Sequence, residues 1–248
     1  MADAQQLLGK VAIVTGSSRN IGKAIAEALA AAGASVVINA RASLAQAQET
    51  AASIEASGGR ALVHMADVTC EQAVADMISG VLATWGRIDI LVNNAVIHEV
   101  KRFEDLTFED WRRTLSIGLD SAFHCIKACF PHIAKSEGGS IVNVGGSAGH
   151  MPYPGRAPVS AAKAGLAGLT RALAYEFAPH NINVNCIAPG PVNTIREVPS
   201  RSDPKRIPLG RFAEPTEVAA VARMLCEPKG RYITGQTIHV NGGLFMNN

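Results

Sequence analysis

The chain has 248 residues, 48% of them hydrophobic and 18% charged, and its 23 basic and 21 acidic side chains leave a formal net charge of +2. That balance excludes a disordered or polyelectrolyte protein and demands a buried core. A near-neutral charge without basic clusters also excludes a nucleic-acid footprint, where several phosphates must be neutralised together.

Taken in chain order, short β-branched runs alternate with longer alanine-rich segments. Residues Val11–Thr15 predict a first strand and Ile21–Ala32 a helix; Ser35–Asn39 and Leu44–Ala56 repeat the unit, as do Ala61–Met65 and Glu71–Trp85. A fourth strand is expected at Ile88–Asn93, then one long helix at Phe108–Ala134, opened by a capping box of Thr107 and Asp110. Ser140–Val144 and Ala157–Phe177, Asn183–Ile187 and Pro215–Leu225, and a last strand at Thr237–Val240 complete the series. The alternation predicts a single α/β domain over residues 1–248: a Rossmann-like, doubly wound parallel sheet of about seven strands with helices on both faces. The proline-rich stretch 189–208 has no apolar periodicity and reads as a short lid loop at the carboxyl ends of the strands.

No stretch approaches 18 uninterrupted apolar residues, and the first eight residues hold Asp3 and no basic run. Neither a membrane span nor a signal peptide is therefore expected, and the expected location is cytoplasmic. Cys70, Cys125, Cys129, Cys186 and Cys226 form no CxxC pair, so reduced, buried thiols and no metal site are expected.

After the first strand comes Thr15-Gly16-Ser17-Ser18-Arg19-Asn20-Ile21-Gly22, then a helix rich in small residues. Such a turn offers backbone N–H groups and the positive end of a helix to a pyrophosphate, and bulkier side chains would block the approach. Taken alone, a glycine-poor turn of this kind is a weak signal, and a purely structural reading stands beside the nucleotide one.

Together with Asp67-Val68, Asn93-Asn94-Ala95, Ser160-Ala161-Ala162-Lys163-Ala164-Gly165, Pro189-Gly190-Pro191-Val192-Asn193-Thr194 and the tail motifs Ile233-Thr234-Gly235-Gln236 and Asn241-Gly242-Gly243, the turn resembles the short-chain dehydrogenase/reductase family over essentially the whole chain. Within it, the pattern is similar to the 3-oxoacyl-acyl-carrier-protein reductase-like members. The resemblance implies a nicotinamide coenzyme cradled by Gly16, Ser18, Arg19, Asn20, Ile21 and Gly22. It further implies Asp67 and Val68 at the adenine, Asn93 and Ala95 near the ribose, Lys163 on the ribose hydroxyls, and Pro189, Gly190, Val192 and Thr194 around the carboxamide. Two departures touch this side: Asn20 stands at the middle glycine, and Val96 at the glycine after Asn-Asn-Ala, where it either narrows the nicotinamide pocket or forces the loop aside. At the end of the second strand the acid that would hold the 2′-hydroxyl is replaced by Ala40, followed by Arg41. With Arg19 nearby this favours NADP(H) over NAD(H), since a 2′-phosphate demands a cation.

Carbonyl reduction needs a hydride on carbon and a proton on oxygen, which the family supplies through a Tyr four residues before the Lys, aided by a Ser and an Asn. Here those positions are Val159, Gly146 and Gly118, and only Lys163 survives. Substitute proton donors are offered by His150 and Tyr153, in the loop that usually lines the substrate pocket; His98, Ser147 and Ser160 are further candidates. The leading expectation is an oxidoreductase moving hydride to a small carbonyl or activated alkene through a non-standard donor. The alternative is a catalytically inactive NADP(H)-binding pseudoenzyme acting as sensor or oligomer partner, and a third is a non-redox lyase or isomerase. By resemblance a homotetramer is expected, or a mixed oligomer with a catalytic relative. Trp111 and Phe103 read as core or interface residues.

Overall fold

The computed structural model describes residues 5–97, 99–195 and 203–246. Seven strands, β1 (Val11–Val14), β2 (Ser35–Ala40), β3 (Arg60–Met65), β4 (Ile90–Asn93), β5 (Gly139–Val144), β6 (Ile182–Pro189) and β7 (Thr237–Val240), form one sheet in the order β3-β2-β1-β4-β5-β6-β7. Every neighbouring pair is parallel. The order reverses between β1 and β4, which opens a crevice at their carboxyl ends, where ligands bind in such sheets.

The helices are α1 (Asn20–Ala31), α2 (Leu44–Ala56), α3 (Glu71–Trp85), α4 (Phe108–Leu115), α5 (Ser121–Ile133), α6 (Ala157–Phe177) and α7 (Pro215–Cys226). Alternate strand residues feed opposite faces. Ala12, Val14, Val36 and Ile38 pack with Ile25, Leu29, Val218 and Leu225 of α1 and α7, while Ile13, Val37, Leu91 and Ile141 pack with Val74, Met77, Ile126 and Leu166 of α3, α5 and α6. Because both faces are covered, β1, β2, β4, β5 and β6 are buried along their whole length.

The long helix expected at Phe108–Ala134 is divided. Its capping box is present, with Asp110 N donating to Thr107 Oγ1, but Ser116–Asp120 form a π turn between α4 and α5. Widening the helix there leaves carbonyls to be satisfied, and Ser121 Oγ donates to Ile117 O at 2.7 Å. One further expectation is corrected, since Cys70 is exposed, unlike the other four thiols; of the two readings of Phe103, core or interface, its 74% exposure removes the core one. The lid predicted at 189–208 starts late, because β6 runs through Pro189, held to β7 by Gly190 N donating to Val240 O. Residues 196–202 of that lid lie outside the described residues. No described helix is long and apolar enough to cross a membrane.

At the amino ends of the strands, Asp89 is fully buried and accepts from Arg87, Lys10 and the Val11 amide. Burial opposes its ionisation, yet these donors together hold the carboxyl below the usual range. This cluster ties β1 to β4 at the end opposite the crevice.

Candidate active site

The turn between β1 and α1 is built by steric necessity. A Cβ on Gly22 would lie 2.3 Å from Gly16 O and 2.5 Å from Asn94 Nδ2, and Gly16 itself sits at φ +60°. Asn39, on β2, fixes the turn from below: its Oδ1 accepts from Gly16 N at 3.3 Å and its backbone N–H donates to Ser17 Oγ at 3.0 Å. Asn20 takes the left-handed conformation at φ +54°, which Asn tolerates better than other non-glycine residues, so the turn survives the substitution. The first turn of α1 carries no acidic residue and no side-chain cap, so its positive end faces the crevice unopposed.

The crevice floor is the end of β4. Thr15 Oγ1 accepts from the amides of Asn94 (2.9 Å) and Ala95 (3.0 Å), and Asn94 Nδ2 donates to Thr15 O and Gly16 O at 3.0 Å each. Val96 follows that anchor and is 39% exposed, so the loop keeps its place. Asn93 Nδ2 donates to Asn143 Oδ1, whose own amide donates to Thr170 Oγ1, a buried chain from β4 through β5 to α6. Asn93 Oδ1 is buried without a partner among the described residues.

At the other end of the crevice Asp67 accepts from the amide and hydroxyl of Thr69, and Arg41 Nη1 stands 3.8 Å from its second oxygen. Burial opposes ionisation of Asp67, but the Thr69 hydrogen bonds and then Arg41 hold it below the usual carboxylate range. Val68 beside it is buried, while Arg41 and Arg19 reach solvent. Val192 is buried and paired to Ala213, and Thr194 Oγ1 donates to Val192 O at 3.4 Å. Gly190 is required where β6 passes the tail, since a Cβ there would meet Asn241 Cα at 2.8 Å.

Lys163, on α6, is buried, and its Nζ donates to Val144 O at 2.8 Å. Burial lowers its pKa to about 8. Val159, one turn earlier, is 5% exposed. A Cβ on Gly146 would meet nothing closer than 4.0 Å, whereas one on Gly118 would press on Ala162 Cβ at 2.9 Å, so the two glycines differ in what they would admit. The short turn Ser147–Gly149 packs directly on this lysine: a Cβ on Gly149 would lie 2.8 Å from its carbonyl carbon. From that turn Ser147 Oγ meets Tyr153 Oη at 2.9 Å, and Arg156 lies over the Tyr153 ring. His150 instead packs edge-on against His239 at 4.7 Å and near Phe245. Burial and then Arg171 lower its pKa, which favours the neutral ring. His98 lies outside the described residues.

The structure thus brings Gly16, Ser18, Arg19, Asn20, Ile21 and Gly22 to one rim, with Asn93, Ala95, Lys163, Gly190, Val192 and Thr194 along the strand ends and Arg41, Asp67 and Val68 at one end. A cradle that tolerates no Cβ, an uncapped helix end and a buried unpaired amide oxygen fit a dinucleotide. Sequence reading assigned no role to Asn39, Asn143 and Thr170, and took Asn94 only as part of a motif; these residues hold the crevice together. For Asn39, Asn94 and Asn143 the signal was a polar residue inside or just past an otherwise apolar strand, which must be hydrogen-bonded when buried; Thr170, on α6, carried no such signal.

The family described as enoyl-(acyl carrier protein) reductase matches residues 16–245. A 3-oxoacyl-[acyl-carrier-protein] reductase of Synechocystis is 41% identical over 243 residues, covering 97% of this chain and 98% of that protein. Among solved structures, a dehydrogenase/reductase from Sinorhizobium meliloti superposes with a TM-score of 0.94 at 34% identity, over 99% of both chains. A short-chain dehydrogenase from Burkholderia cenocepacia in complex with NADP gives a TM-score of 0.91 at 36% identity, over 96% of this chain and 99% of that one.

Proposed function

The chain belongs to the short-chain dehydrogenase/reductase family, and from that premise we propose that it is an NADPH-dependent oxidoreductase whose proton donor is Tyr153. The observation that carries this reading is the 2.9 Å contact of Tyr153 Oη with Ser147 Oγ, on the turn that packs against Lys163. It supplies a hydroxyl pair where Val159 and Gly146 supply none.

When bound, the coenzyme would supply hydride to the carbonyl carbon of a small substrate, or to an activated alkene. Arg41 and Arg19 would hold the 2′-phosphate, the turn Gly16–Gly22 the pyrophosphate, Lys163 the ribose hydroxyls, and Val192 and Thr194 the carboxamide. Tyr153 gives its proton to the substrate oxygen, and Ser147 donates to the phenolate left behind. Tyr153 is preferred to His150 because the His150 ring is packed on His239 and Phe245 while Tyr153 has the Ser147 hydroxyl beside it; burial, which lowers the His150 pKa, also disfavours the imidazolium that would be the donor. The relative from Burkholderia cenocepacia bound to NADP and the reductase of Synechocystis support the coenzyme and the reaction class. A homotetramer in the cytoplasm is part of the same reading.

The test is a panel of small carbonyls and enones followed at the NADPH absorbance. Turnover by the wild type that falls by about 10² to 10⁴ in Tyr153→Phe, as losing a general acid does, supports the reading. Turnover seen only after Val159→Tyr with Gly146→Ser would make the protein a coenzyme-binding pseudoenzyme, a sensor or the partner of a catalytic relative. Gly146 has the room that restoration needs.

A further inference from the structure

The side chain of Asn20 joins the turn after β1 to the segment leaving β6. Its Oδ1 accepts from Ile195 N at 2.9 Å and its Nδ2 donates to Ile195 O at 3.1 Å, joining residues 175 positions apart. One partner belongs to the phosphate-binding turn, and the other follows Thr194 on the segment leaving β6. Both amide functions of one side chain are spent on one residue's backbone, which fixes the segment's orientation as well as its distance. A glycine at position 20 would take the φ of +54° without strain but could make neither bond. The asparagine therefore adds to the turn something that its backbone conformation does not need.

We propose that Asn20 is a positioning residue that latches the Thr194-Ile195 segment to the phosphate-binding turn and so retains the coenzyme. The proposal rests on the coenzyme reading above and extends it: Asn20 governs how fast coenzyme leaves. The latch joins the two segments assigned to the pyrophosphate and the carboxamide, the two parts that would hold opposite ends of a bound dinucleotide. Thr194, beside the latch, is held from its own side by its hydroxyl on Val192 O, and Val192 in turn by Ala213. The Thr194-Ile195 segment is thus held on its β6 side through Val192, and Asn20 is the pin on the α1 side.

The experiment compares wild type and Asn20→Gly by stopped-flow displacement of NADPH and by hydrogen exchange of the peptide carrying Ile195. In Asn20→Gly the NADPH dissociation rate is expected to rise about tenfold, equivalent to ~1.4 kcal/mol, because two partly exposed hydrogen bonds are lost. The amide protection of the Ile195 peptide falls in the coenzyme-free protein while that of β1, β4 and β5 is unchanged, which a general loss of folding would not produce. An unchanged dissociation rate, or protection lost throughout the sheet, overturns the proposal. If the wild type binds no NADPH, the functional reading fails by itself, and unchanged protection at Ile195 then overturns the latch separately.

Discussion

Lys163 Nζ donates to the carbonyl of Val144 across 2.8 Å, and among the described residues this buried ammonium makes no ion pair. Helix α6 meets the end of β5 through that bond, so the lysine reports both the packing of the site and its electrostatics. A neutral carbonyl compensates a buried charge only in part, and burial accordingly lowers the pKa from 10.5 to about 8.

The first prediction follows from that imbalance. The fold favours the neutral amine, so stability is depressed below pH 8, where the ammonium stays buried, and is regained as pH rises from about 8 to 10.5. Lys163→Met should therefore raise the melting temperature at pH 7 by roughly 2–8 °C, from about 1–2 kcal/mol. The gain should shrink above pH 10. Calorimetry at the two pH values checks this, and a lower melting temperature at pH 7 contradicts it.

The same titration should appear in coenzyme binding. The ammonium is present below about pH 8 and lost above it, so NADPH affinity should fall as pH rises through 8. In Lys163→Arg, whose guanidinium does not titrate in this range, the pH profile should be flat from 7 to 9.5, even if affinity is lower overall. A profile for the wild type that is equally flat would remove the ribose role from Lys163.

Arg41 stands 3.8 Å from Asp67 and is mostly exposed, so its ion pair contributes little to folding. Arg41→Ala should leave the melting temperature within about 1 °C while weakening NADPH binding roughly tenfold and NADH binding by less than twofold, which isothermal titration would measure. Equal loss for both coenzymes would mean that Arg41 meets no 2′-phosphate.

Much of this was legible in the sequence because it depends on period and on single obligatory residues. The alternation of β-branched runs with alanine-rich helices gave the parallel sheet, and Gly16 and Gly22 marked the turn where a Cβ has no room. The π turn at Ser116–Asp120 was not legible, because the apolar pattern runs through it and only Gly118 hints at the close approach to Ala162. The Ser147–Tyr153 contact and the Asn20–Ile195 latch were equally hidden. Both join residues by side-chain direction, six positions apart in one case and 175 in the other, and no periodicity encodes that.

Two glycines offer opposite outcomes for one substitution. Gly22→Ala would drive a Cβ to 2.3 Å from Gly16 O and should abolish measurable NADPH binding and destabilise the fold by more than about 2 kcal/mol. Gly168→Ala lies within α6 with nothing within 4 Å and should stabilise by about 0.5–1 kcal/mol through helix propensity. Denaturant unfolding of both variants checks the pair. Destabilisation by Gly168→Ala would show that a neighbouring subunit packs on that face.

The most direct test of the dinucleotide cradle is a fluorescence titration of the wild-type protein with NADPH and with NADH at pH 7. The expected result is saturable binding of NADPH in the micromolar range, with NADH at least about tenfold weaker, the discrimination of one charge-assisted contact. Absence of binding to both coenzymes at millimolar concentration would contradict the assignment of the crevice.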